Sequence, residues 1–386
     1  MRRLLFLASA MIFFDVAFFA AIAPLLPGYV EDLGLSKAEA GFLSASYAAG
    51  TLLASLPAGF VASRMGPRRT VIIGLLLLGC SSVVFGFAEE IVLLDSARFI
   101  QGVAGALIWS GALTWLITAA PEENRGSVIG TALGTAVAGA LLGPALGAIA
   151  GSVGTELVFS SVLVITILLA IAAARIPETR VPERQTLREV MATLVSRPVL
   201  EAAAFVAVPS VMFGAIEVLV PLRIDSLDGG HGLIAAGFIA GAALEAMLAP
   251  VAGRISDRVG RRLPYVAGLA ICALAMIAIA EVTTLEEVIG ALIFTSLGAG
   301  LCFAPALTLI SDVAEASSLH QGFAAGLSNM AWASGQVIGG IGGGVVASLT
   351  GNAAPSLAIA LLLALTVVYA FRSMDPGVEP RPARPA

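Results

Sequence analysis

The chain reads as an all-α membrane protein, with twelve transmembrane helices in two pseudo-symmetric six-helix bundles. Three observations lead there. Of 386 residues, 58% are hydrophobic and 12% charged, and the mean hydropathy is +0.98. An ordinary globular domain carries about a quarter charged residues, so too little polar surface exists here to dissolve one large core. Apolar stretches recur throughout the length, with room for about a dozen spans of ~20 residues. Finally, the basic residues collect in alternate loops between those stretches.

Taken in order, the apolar runs lie near 4–27, 39–62, 70–88, 91–120, 126–151 and 156–174, then 199–224, 232–254, 264–281, 286–311, 321–348 and 352–371. Each must be helical, because the hydrocarbon layer offers no water to satisfy backbone groups. The first run, with Arg2, Arg3 and Ala21-Ile22-Ala23, has some features of a cleavable signal peptide. Asp15 within it, Pro24 after it and the many spans that follow favour a retained first span. The division expected is a bundle over 1–174, a cytoplasmic loop over 175–198, a second bundle over 199–372 and a disordered cytoplasmic tail over 373–386. In the central loop, Thr186 and Glu189 form a capping-box pattern before Leu187, Val190, Met191 and Leu194 at helical spacing, which predicts a short amphipathic helix on the interface.

Orientation follows from charge. With both termini cytoplasmic, all but three of the 21 basic residues fall in inside loops; the exceptions are Lys37, Arg98 and Arg223. Such a bias places the termini on the cytoplasmic side of the inner membrane. The net charge of −5 adds nothing to this.

Several chemistries drop out. Lys37 is the only lysine and no phosphate-binding loop surrounds it, so nucleotide hydrolysis through such a loop is excluded. His231 and His320 are the only histidines and lie far apart, which excludes a histidine metal cluster. Cys80, Cys272 and Cys302 sit inside apolar runs and read as small buried hydrophobes. No enzyme activity, metal or cofactor is expected.

The halves echo each other. Gly59 to Arg69 reads GFVASRMGPRR, and Gly253 to Arg262 reads GRISDRVGRR, at an offset of 194 residues. Ala112-Leu113-Thr114 returns as Ala306-Leu307-Thr308 at the same offset, and Gly143 matches Gly339 at 196. A duplicated six-span unit is how secondary transporters obtain two bundles that rock about a midplane site.

The loop string, with Gly59, Arg64, Gly66 and Arg68 in one copy and Gly253, Asp257, Arg258, Gly260 and Arg261 in the other, resembles the loop signature of the major facilitator superfamily. The resemblance implies a conformational latch at the cytoplasmic ends. Ser63 stands at the acidic position of the first copy, so that latch is either weaker or built from other groups. Anchoring of the loops by their arginines is the plainer role. Gly139, Gly143, Pro144 and Gly147 in span 5 resemble the G-x-x-x-G-P-x-x-G element of the drug:proton antiporter branch. These glycines, with Gly335, Gly339 and Gly343 in span 11, also suit close helix packing. Arg98-Phe99-Ile100-Gln101-Gly102 is similar to a family signature implicated in proton coupling, although Asp95, three residues earlier, offers Arg98 a structural ion pair.

Acidic residues within spans are the sharpest signal. Asp15, Glu217 and Glu245 lie deep in spans 1, 7 and 8. An ionised carboxylate at a helix centre costs on the order of 3 kcal/mol, so such groups face a wet cavity, pair with a cation or carry a proton. Asp15 with Ala23-Pro24-Leu25-Leu26-Pro27, and Glu217 with Pro221, are similar to the first and seventh spans of drug:proton antiporters. The resemblance implies proton coupling through Glu217, Asp15, Glu245 and Arg98. Span 11 of those relatives carries an acid where this chain offers only Asn329. Asn329, Trp332 and Gln336 share one helical face and are candidates to line a cavity with Asp15, Glu217, Phe18, Phe19, Trp109 and Phe213; a packing stripe is the simpler role.

The expectation is therefore a secondary active transporter of small lipophilic or cationic compounds, driven outward by a proton gradient. It would work as a monomer in the bilayer, with no nucleic acid partner. A proton-coupled importer or facilitator of a small metabolite or sugar shares the same elements. A non-transporting membrane receptor or scaffold is the third reading.

Overall fold

The structure is a computed structural model that describes residues 1–121, 125–178, 187–317 and 321–374. Among these residues there are fourteen helices and no strand. The tail beyond residue 374, the loop residues 179–186, including Thr186 of the predicted cap, and His320 lie outside them.

Helices α1 (Arg2–Ala20) and α2 (Ile22–Leu33) form one bent rod. The bend falls at Ala21, where Pro24 has no N–H to give the carbonyl four residues earlier. Then follow α3 (Lys37–Met65), α4 (Pro67–Gly86), α5 (Ile91–Ala119), α6 (Arg125–Val153) and α7 (Thr155–Ala174). The short α8 (Leu187–Leu194) precedes α9 (Arg197–Asp225), α10 (His231–Val259), α11 (Arg262–Glu281), α12 (Leu285–Ala316), α13 (Gln321–Thr350) and α14 (Ala353–Ser373). Without α8, and with α1 and α2 counted together, twelve rods remain.

Eleven of these are long and apolar enough to cross a membrane. The remaining rod, α13, is 30 residues long, but its glycines and Ser328, Asn329, Ser334 and Gln336 dilute its hydropathy. Local signals set the ends. Ser36 and Glu39 cap α3 reciprocally, with the Ser36 N–H donating to Glu39 Oε2 at 2.8 Å and the Glu39 N–H to Ser36 Oγ at 3.2 Å. Gly66 and Gly260 hold φ of +90° and +86° at the two echoed turns, a region only glycine enters without strain.

Two cores result. One joins residues from Leu4 to Ala173 with Val218 of α9; the other runs from Val190 to Met374. The glycine ladders knit rods inside each core. A Cβ at Gly139, Gly143 or Gly147 would meet the backbone of α1 and α2, and one at Gly335 or Gly339 the backbone of α9. Val190 and Leu194 of α8 are buried in the second core, so this helix docks on protein and leaves Met191 exposed. Cys272 and Cys302 are buried, as expected of small hydrophobes, whereas Cys80 faces outward. Its helix, α4, packs on α5 and α7 through other faces.

Between the halves, α3 lies along α13 and α6 along α10. The rods place the turns α3–α4 and α10–α11 at one end of the molecule, the arginine-rich end, and the turns α2–α3 and α13–α14 at the other.

Candidate functional site

A cavity of about 510 Å³ lies between the halves. Its walls come from α1, α3, α5 and α6 on one side and α9, α10, α12 and α13 on the other. Most of the lining is apolar or aromatic, with Phe19, Trp109, Phe213, Phe238, Phe303 and Trp332 prominent. Asp15, Glu217 and Glu245 all reach it, as do Asn329 and Gln336.

Each acid has a different setting. Asp15 is 1% exposed and accepts from the Tyr47 hydroxyl at 3.0 Å on both oxygens, and from Trp109 Nε1 at 3.1 Å. These two donors, one of them shared between both oxygens, offset part of the desolvation of a buried carboxyl group. Glu217 lies within reach of Ser44 and Gln336 from α3 and α13. Glu245 lines the same space, and among the described residues no carboxylate–arginine ion pair involves any of the three.

Arg98 is 1% exposed but does not line the cavity. Its guanidinium donates to the carbonyls of Phe18 at 3.4 Å and Phe19 at 3.2 Å, just before the bend in the first rod, and to Gln101 Oε1 at 3.1 Å. The rings of Tyr47, Phe19 and Phe85 lie 5.2, 5.8 and 5.9 Å from its central carbon. The spacing that offered Arg98 a partner in Asp95 is not used: Asp95 accepts from Ser46 Oγ at 3.2 Å instead. Arg98 thus acts on Glu217 and Asp15 through its field without touching either.

The remaining sequence candidates separate cleanly. Phe18 turns into the first core against Phe159 at 5.8 Å and contributes only its carbonyl to the site. Pro144 reaches the cavity while Gly139, Gly143 and Gly147 face the first rod. The loop residues stand apart at the arginine-rich end. Arg68 pairs with Glu178 at 3.5 Å and donates to the Ile176 carbonyl at 3.4 Å. Arg261 pairs with Asp312. Both ion pairs stay within their own half. Arg64 and Arg258 are exposed, Gly253 meets open space, and the side chain of Asp257 lies outside the described ones. Ser63 satisfies its hydroxyl on the Phe60 carbonyl at 2.9 Å.

Sequence reasoning did not single out Tyr47 or Ser44. A tyrosine midway through an apolar run was the available signal, since its hydroxyl needs a partner there.

The cavity is shut toward the arginine-poor end. Phe19 meets Trp332 edge-on at 5.3 Å across the halves and lies 4.8 Å from Tyr47. Beyond them, Lys37 Nζ donates to Asn352 Oδ1 at 2.6 Å, and His231 Nδ1 lies 2.5 Å from the Pro24 carbonyl. Toward the arginine-rich end the lining continues through Ile117, Leu133 and Ser311. There a Cβ on Gly130, Gly134 or Gly253 would meet nothing.

Two packed halves with a polar spot in an otherwise apolar cavity, shut at one end, have the build of a membrane transporter. The chain matches the Major Facilitator Superfamily over residues 5–246 and 226–386, and it belongs to that family of transporters rather than to any class of enzyme. It is similar to the MFS-type transporter ppzB of Metarhizium majus, at 29% identity over 31% of this chain and 27% of that protein. It is also similar to the quinolone resistance protein NorA of Staphylococcus aureus, at 25% identity over 34% of each chain. The matched segment thus spans about a third or less of these relatives' lengths. Among solved structures, a bacterial homologue of the human lysosomal transporter Spinster, in an inward-facing conformation, superposes with a TM-score of 0.76 at 14% identity over 95% of each chain. A D-xylose–proton symporter does so with 0.75 at 15% identity over 97% of each. At these identities the likeness is one of fold.

Proposed function

We propose that this transporter exports small lipophilic or cationic compounds in exchange for protons, from an inner membrane with both termini in the cytoplasm. The observation that carries the reading is the set of three carboxyl groups, Asp15, Glu217 and Glu245, on the wall of one apolar cavity, with no ion-pair partner among the described residues. A carboxyl group withdrawn from water binds a proton or a cation in preference to standing bare. When one binds, the other is displaced, and that competition suffices for exchange. Aromatic walls give a lipophilic body its contacts while the acids select charge.

The lining of the cavity runs on toward the arginine-rich end through Ile117, Leu133 and Ser311, and the charge bias argues for that end lying in the cytoplasm. Substrate therefore enters from inside. Rocking of the halves would open the Phe19–Trp332 contact and expose the acids to protons outside.

The test is transport by purified protein in sealed vesicles at two external pH values, with cationic, neutral and anionic compounds compared. Cations should be extruded faster when the outside is acidic. Their equilibrium binding should weaken as pH falls, because protons compete for the same carboxylates. Glu217→Gln should abolish proton-driven exchange with insertion and folding intact; unaltered pH-dependent efflux in that variant sinks the assignment. Asp15→Asn should weaken cationic compounds more than neutral ones. Proton-driven accumulation of substrate on the cytoplasmic side would instead make the protein an importer.

A further inference from the structure

The three basic residues outside the arginine-rich loops part company in the structure. Arg98 is the buried one described above. Lys37 and Arg223, the only lysine and arginine at the arginine-poor end among the described residues, both line one small pocket of about 280 Å³. They come from opposite halves, Lys37 from the first turn of α3 and Arg223 from the last turn of α9. Each is half-buried, and each charge acts on the other. Two like charges facing a shared pocket repel, and the repulsion goes unrelieved in the protein itself: among the described residues neither forms an ion pair.

Relief was close at hand. That end of the molecule carries exposed acids, Glu31, Asp32, Asp225 and Glu281 among them. Instead, Arg223 donates to the Val282 carbonyl at 2.8 Å and to Ser226 Oγ at 3.5 Å, and Lys37 to Asn352 Oδ1 at 2.6 Å. These neutral acceptors hold both cations in place and leave their charge unspent. Asn352 presents its oxygen to Lys37, so its amide nitrogen remains a donor. Helix α14 begins beside it at Ala353, on the pocket wall, with no side chain capping its first amides. An ammonium, a guanidinium, a carboxamide and an uncapped helix start converge, and among the described residues no carboxylate lines the pocket.

We propose that this pocket is an oxyanion site, taking a carboxylate or phosphate group, separate from the central cavity. Its ligand spans the two halves where they close. Binding there favours the state shut on that side, since opening would part Lys37 from Arg223 and Asn352 and dismantle the site. The group comes either from a dissolved anion or from an acidic lipid headgroup of the adjoining leaflet.

The experiment is thermal unfolding of the full chain in lipid nanodiscs, with inorganic phosphate titrated against sodium chloride at constant ionic strength. One set of discs holds only phosphatidylcholine and the other includes phosphatidylglycerol. A ligand that binds the folded state raises the midpoint with its concentration. A phosphate-dependent rise in phosphatidylcholine discs identifies a dissolved oxyanion. A rise on adding phosphatidylglycerol, with phosphate then without effect, identifies the headgroup. Either rise should be lost in Lys37→Gln and in Arg223→Gln, and kept in Arg372→Gln, which removes a cation from the opposite end. No rise in either disc overturns the proposal. So does a rise that survives both pocket substitutions. Should Arg223→Gln fold poorly, Lys37→Gln alone decides, because its side chain makes a single hydrogen bond.

Discussion

The α3–α13 seam and the α6–α10 seam are counterparts under the duplication, since span 2 corresponds to span 8 and span 11 to span 5, yet they are built differently. Along the first, Gly41 faces Gly340 and Gly344 near one end, while Gly59 and Phe60 meet Phe323 near the other. The backbones approach throughout. Along the second, contact is kept near the arginine-poor end, where Gly151 faces His231, and is absent at Gly130, Gly134 and Gly253. Leu133, Val137, Met247 and Val251 are exposed there, with Leu133 and Val137 also on the cavity wall. One sequence repeat has therefore produced a continuous seam and a half-open one. The lesson is that close helix contact is set by where small residues face each other, and a transporter needs one seam that yields.

The largest effect should come from filling the continuous seam. Gly41→Leu places a side chain against the Gly340 carbonyl and should destabilise the protein by about 3 kcal/mol, the upper range for overpacking. Gly134→Leu, in open space on α6, should stay within about 0.5 kcal/mol of the parent. Thermal unfolding in detergent compares the two, and equal losses would erase the distinction between the seams.

Accessibility sharpens it further. In a Cys80→Ser background, which removes the exposed native thiol, Val137→Cys on the cavity wall should react rapidly with a maleimide applied from the arginine-rich side. Ala45→Cys, buried in the α3–α13 seam, should stay unmodified over the same period. Bound substrate should slow the reaction at Val137→Cys, because Val137 lines the cavity.

A smaller change is expected at Asp15, which the continuous seam reaches through Tyr47 of α3. Tyr47→Phe removes the donor shared by both Asp15 oxygens and should cost about 1.5 kcal/mol, or roughly tenfold in affinity for a cationic compound. Direct binding measurements would register it, and a neutral compound should bind unchanged. The least effect should follow Arg68→Gln. Its partly exposed pair with Glu178 stays within one half, so stability should fall by no more than about 1 kcal/mol and exchange should persist.

How far these features were legible in the sequence varies with their physical origin. Spans were legible because burial in hydrocarbon demands long apolar helices, and α13 was legible despite its glycines because no charged residue interrupts residues 321–348. The acids were legible as charges where charges are costly. The bend at Ala21 was not, although Pro24 is its cause, and the first rod runs on to Leu33 beyond the predicted 27. The partners of Arg98 depend on that bend, since they are backbone carbonyls and no side-chain pattern reports them. Spacing pointed to Asp95 instead. Phe18 and Phe19 are adjacent and chemically alike, so only the rotation of α1 decides that Phe19 reaches the cavity while Phe18 packs inward. Tyr47 was hidden for the same reason, because its role is created by the angle between α1 and α3.

The anchoring of Arg98 to the carbonyls of Phe18 and Phe19 has an electrical consequence. Those acceptors are uncharged and never change protonation, so a full positive charge stays attached to the first rod whatever the acids do. In the proposed rocking cycle, a tilt of that half would shift the charge along the membrane normal, where the transmembrane voltage does work on it. A complete crossing is worth about 2.3 kcal/mol per 100 mV, so movement through a tenth of the layer is worth roughly 0.2 kcal/mol. The tilting step of the proposed cycle would then be voltage-sensitive, even where the net exchange is electroneutral.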